Sequence, residues 1–178
     1  MADPKDVLLE NLKETLKGVE RYFLSGSVSA LFILLLAARG QLAAGAVEQE
    51  VQVPIAGLSA PTFGAALIAL AIYILSGWMI IGFITHIRRI KDRLSKLGEE
   101  ALLNAMLTYP SMLTTGGHGP VVITLLVAAL GTLALLASYY TDQGFSSALM
   151  TGIIISHPYF IVAISLWRSP LYETDKTE

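Results

Sequence analysis

Four stretches of this chain contain no Asp, Glu, Lys or Arg. They are Tyr22–Ala38 ("YFLSGSVSALFILLLAA"), Phe63–Ile84 ("FGAALIALAIYILSGWMIIGFI"), Val121–Tyr140 ("VVITLLVAALGTLALLASYY") and Phe145–Trp167 ("FSSALMTGIIISHPYFIVAISLW"). Crossing the hydrocarbon of a bilayer takes roughly 20 apolar residues. The first run, at 17 residues, is the shortest that would serve. Lipid offers no water to satisfy backbone N–H and C=O groups, so a spanning segment of this length must be a helix. Charged residues make up 15% of the chain, against about 25% in soluble domains. The expectation is an all-α membrane protein with four transmembrane helices.

The charges outside these runs are unevenly placed. Lys5, Lys13, Lys17 and Arg21 precede the first run; Arg88, Arg89, Lys91, Arg93 and Lys96 separate the second from the third; Arg168 and Lys176 follow the fourth. Only Arg39 lies in the other two connections, so eleven of the twelve basic residues fall on one side. By the positive-inside rule that side is cytoplasmic, with both termini there. The small residues "AAGA" (43–46) resemble a signal-peptidase site. The long mixed-charge segment before the first run is unlike a short basic n-region, however, so an uncleaved span is expected. Net charge is −2, which gives no reason to expect nucleic acid. The absence of cysteine excludes disulfides, thiolate metal sites and thioether-linked haem.

Two cytoplasmic segments carry helical stripes. Asp3 can cap a helix that Pro4 begins, and Leu9, Leu12, Leu16, Val19 and Phe23 follow at alternating spacings of four and three. Ile87, Ile90, Leu94, Leu97 and Ala101 repeat the pattern, with the basic "RRIKDRLSK" on the other face and Gly98 as an interruption. These predict two cytoplasmic amphipathic helices beside the spans. Arg88, Arg89, Lys91, Arg93 and Lys96 read either as a topology anchor or as a contact for anionic lipid head groups or an acidic partner. The expected organisation is therefore 1–21 amphipathic helix, 22–38 first span, 39–62 external loop and 63–84 second span. There follow 85–120 amphipathic helix and loop, 121–140 third span, 141–144 external turn, 145–167 fourth span and 168–178 tail. Within the external loop, alternation around Val47–Val53 suggests one short strand, limited by Pro54 and Pro61. Small residues throughout the spans suit close helix packing in lipid.

Signals for chemistry are few. The sequence lacks HExxH, a P-loop, GxSxG and paired intramembrane carboxylates. "GGHG" (116–119) reads as a turn or a weak anion site, and "SGSVS" (25–29) has hydroxyls but no positioned base. His86 and His118 should lie near the cytoplasmic face and His157 deep in the fourth span, so the three cannot share a metal. His157 precedes Pro158, whose missing N–H frees the carbonyl of Ile154. Ser156 and His157 are adjacent donors that could satisfy it; alternatively His157 is an axial ligand. The kink reading expects His157 buried against another helix, without a metal.

"VQVPIAGLSAPTF" before the second span and "LTYPSML" after the basic segment resemble uncharacterised bacterial polytopic membrane proteins, some fused to pentapeptide repeats. In those a V-x-V-P-[apolar]₂-G segment precedes a membrane helix. The resemblance covers a minor part of the chain and implies a bacterial membrane module with no catalytic residue to transfer. The leading functional expectation is a non-enzymatic module, without catalytic residues or cofactor, that assembles with itself or as an accessory subunit of a membrane complex. One alternative is a homo-oligomeric channel lined by Ser27, Thr124, Thr132 and Ser156. The other is a haem- or chlorophyll-binding subunit using His157.

Overall fold

Pro4 opens the first helix, α1 (Pro4–Ala38), where a missing N–H leaves no intrahelical bond unmade. The computed structural model of the protein describes residues 4–43, 46–96 and 118–168, so the expected cap Asp3, Leu97–Ala101 and the "TYPSMLTTGG" loop lie outside the described residues. A second helix, α2 (Thr62–Lys96), follows a short β-hairpin. A third helical stretch, α3 (Gly119–Arg168), turns at Gly144, whose φ of 76° and ψ of 163° belong to a region open to glycine alone. That turn divides α3 into a third span, Gly119–Ser138, and a fourth, Gly144–Arg168. With α1 and α2 they make four helices long and apolar enough to cross a membrane. The expected four-residue external turn is thus replaced by one glycine.

The two amphipathic segments are not separate helices. Residues 4–21 form about half of one 35-residue helix and residues 85–96 about a third of another, and each helix also contains a span. No proline interrupts either helix beyond its start. The sole glycine at the first junction, Gly18, costs about 1 kcal/mol relative to alanine, too little to break a helix held on one face by packing. At 1.5 Å per residue each helix is about 52 Å long, some 20 Å more than the hydrocarbon of a bilayer.

The hairpin pairs β1 (Glu50–Gln52) antiparallel with β2 (Ser59–Pro61), with Glu50 opposite Pro61 and Gln52 opposite Ser59. One strand was expected, and Pro61 was read as opposing another. A two-stranded sheet has only edges, where a proline withholds no shared hydrogen bond. Thr62 fastens the hairpin to α2: its hydroxyl donates to the carbonyl of Gln49 at 2.9 Å.

α1 and α2 run antiparallel. Their stripes are buried in one core: Leu12, Leu16, Val19 and Phe23 share a cluster with Ile80, Ile84, Ile87, Ile90 and Leu94, all at most 3% exposed, and with Val121, Val162, Ala163 and Leu166 of α3. The ring of Phe83 caps this seam against Gly18 and lies 5.5 Å from Tyr22. The helices therefore stay packed together through Leu12 and Leu94, beyond the charge-free runs.

Candidate functional site

An α-helix that is apolar all round gives no sign of which side faces inward. Polar atoms inside the bundle supply it. Tyr73 of α2 is 1% exposed and donates its hydroxyl to Ser156 Oγ of the fourth span at 3.0 Å. Thr132 of the third span lies 3.3 Å from the same Oγ and also donates to the carbonyl of Ala128 at 2.9 Å. Tyr159 returns from the fourth span to α2, donating to the carbonyl of Tyr73 at 3.0 Å. The two tyrosine rings stack with centroids 4.7 Å apart. Three spans are tied by one cluster of hydroxyls, and α1 closes it through a notch. A Cβ on Gly26 would overlap the Tyr159 hydroxyl, and one on Gly131 would overlap that of Tyr73.

This divides "SHPYF" between two faces. Ser156, Pro158 and Tyr159 are buried, and Pro158 lies against Gly77 of α2, whose added Cβ would sit 2.9 Å away. His157, about 100° round the helix from Ser156, faces outward. The expectation that it is buried against another helix is therefore corrected: Ser156, Pro158 and Tyr159 take the inward positions, with Pro158 against Gly77, and His157 is left on the exposed side. Its Nδ1 lies 2.7 Å from the carbonyl of Ile154, the acceptor that Pro158 leaves without a helical donor. A carbonyl only accepts, so the proton of this bond belongs to Nδ1. Ser156, the other candidate donor, is engaged by Tyr73 instead. Trp78 of α2 meets the imidazole edge-on, with centroids 5.3 Å apart.

The basic segment is divided as well. Arg88 is half-buried and donates to Ser165 at the end of the fourth span, through Nη1 to Oγ at 2.8 Å and Nη2 to the carbonyl at 2.7 Å. It is a clasp between helices, which removes it from the expected surface patch. Lys91 is half-buried. Arg89, Arg93 and Lys96, spaced four and three apart, are exposed along one face. At the same end His118, the described histidine of "GGHG", stacks on Trp167 with centroids 4.9 Å apart. Among the described residues no three potential metal ligands converge.

Of the hydroxyls expected to line a pore, Thr124 and Ser156 are fully buried and Ser27 and Thr132 are half-buried. Thr124 donates to the carbonyl of Pro120 and Ser27 to that of Phe23, each one turn back on its own helix. Glu48 and Glu50 are exposed beside the hairpin.

Tyr73 and Tyr159, the centre of this cluster, were not singled out by sequence reasoning. Their signal was position: tyrosines favour the interface belts, and these two lie mid-span with a glycine available on a neighbouring helix for each. Comparison with protein-family models, curated proteins and solved structures finds no match to this chain.

Proposed function

We propose that the chain is a non-enzymatic integral membrane module that works by assembly, with itself or as an accessory subunit, and presents a preformed two-helix platform beside the bilayer. The observation that carries this reading is the mutual burial of the α1 and α2 stripes beyond the apolar runs. A flexible segment would lose conformational entropy on docking, whereas a closed hairpin has lost it already. The interior hydroxyls support the same reading, because the cluster around Tyr73 joins helices. Closure of the stripes also relocates the assembly surface. Leu12 and Leu94 are covered within the chain, so partners meet the outer faces of the hairpin or the lipid-facing flank.

The charge asymmetry makes the platform cytoplasmic, with residues 39–62 on the far side. Arg88, bound to Ser165, marks the membrane boundary. Arg89 then lies at the head groups and Lys96, seven residues on, about 10 Å above them. That is about one Debye length, so the gain from an anionic leaflet, about 1 kcal/mol for a basic residue at the surface, is largest for Arg89 and much weaker at Lys96.

The experiment is a mass measurement on the protein extracted from its own membrane in mild detergent. The reading expects a multiple of 19.1 kDa or a stoichiometric second subunit. A lone 19.1 kDa chain would contradict assembly.

A further inference from the structure

The imidazole of His157 is the one ionisable side chain turned to lipid in the middle of the fourth span. It lies eight residues from Ser165, hence about 12 Å below the Arg88 clasp. Ionisable groups within spans almost always face the bundle interior or a watery cavity, so an outward one needs a reason. Compensation of Pro158 accounts for Nδ1 alone. Among the described residues Nε2 has no hydrogen-bond partner. In the neutral ring with the proton on Nδ1, the lone pair lies on Nε2.

A neutral imidazole whose Nδ1–H is held by a backbone carbonyl is the arrangement that orients a histidine for metal ligation through Nε2. Free metal ions do not enter hydrocarbon. A metal inside an apolar macrocycle does, and it needs only one ligand from the protein because the ring nitrogens supply four. The surroundings fit such a ring. Met150, Ile154, Ile161 and Ile164 lie with His157 at successive spacings of four, three, four and three and are all at least 42% exposed. On α2, Trp78 packs T-shaped against the imidazole, and Gly82, one turn nearer the Arg88 clasp, opens onto free space. The contacts Gly77–Pro158 and Arg88–Ser165 put Gly82 about level with Ile161.

We infer that the lipid-facing flank of α2 and the fourth span binds a metallotetrapyrrole, with His157 Nε2 as its single axial ligand from this chain. The lone pair of Nε2 fills an open axial position of the metal, and no proton moves. Iron porphyrins and magnesium chlorins share this chemistry. The inference does not depend on assembly, since a monomer presents the same flank.

The test titrates the purified protein in detergent with haemin, reduced with dithionite, and separately with chlorophyll a. With at least one probe, binding should saturate at one per chain, shift the absorption band of the macrocycle and quench tryptophan emission. His157→Gln keeps an N–H for the Ile154 carbonyl and should weaken that binding about tenfold or more, which is a loss of one good interaction. Gly82→Leu keeps the imidazole but fills the recess, and should weaken it comparably. His86→Gln and His118→Gln should leave it unchanged. No saturable binding of either probe overturns the inference. So does binding that survives His157→Gln, or that is lost in His86→Gln or His118→Gln.

Discussion

At the scale of single residues, two polar atoms have opposite fates. The hydroxyl of Tyr73 reaches Ser156 across the bundle, while Ser29 Oγ on α1 is buried without any partner. An unsatisfied buried hydroxyl is destabilising by about 1–3 kcal/mol. Ser29→Ala is therefore expected to raise stability by about 1 kcal/mol, readable as a higher midpoint in a denaturant titration of the detergent-solubilised protein. Tyr73→Phe should lower it, by about 0.6 kcal/mol if the bond has the average strength found between membrane helices. An unchanged midpoint in both variants would mean that the interior cluster contributes nothing to holding the spans. His157 shows the limit of reading residues alone. Its bond to the Ile154 carbonyl was legible because proline chemistry names the orphan acceptor. Its outward direction was not, since Ile153, Ile154, Phe160 and Ile161 surround it with apolar residues on every side.

Among the elements, continuity decides the architecture. Reading charge alone puts boundaries at residues 21 and 84, where composition changes from mixed to apolar. The backbone has no such boundary: the 3.6-residue repeat runs on in phase, and Phe23 and Ile84 belong to both the stripe and the span. Spans were legible because charge-free runs of this length have few soluble alternatives. Their packing faces were not, because interior and lipid are equally apolar and only small residues mark the approach. Gly131 is the sharpest example. A methyl group there would displace the Tyr73 hydroxyl, whose ring is stacked on Tyr159 and has little room to move. Gly131→Ala should cost about 1–3 kcal/mol, the usual range for overpacking, despite alanine's better helix propensity. If Gly131→Ala instead stabilises, propensity outweighs the notch and the close approach of the spans is wrong.

For the molecule as a whole, four helices are long and apolar enough to cross a membrane, and in the proposed orientation the excess length of α1 and α2 lies on the basic side. Ser59 in β2 and Ser95 near the end of α2 are both exposed and lie at opposite ends. A cysteine at Ser59 should react with a membrane-impermeant thiol reagent in intact cells, and one at Ser95 only after lysis; the reverse pattern would invert the orientation. The central claim is that the two stripes close on each other. Spin labels at Asn11 and Arg93, both exposed on the projecting part, test it most directly in lipid nanodiscs. Packed helices lie 8–10 Å apart, so with two label arms a single narrow distance below about 30 Å is predicted, unaffected by dilution with unlabelled protein. A broad distribution beyond about 40 Å would contradict the account, because helices lying apart on the membrane could not keep the 8–10 Å spacing.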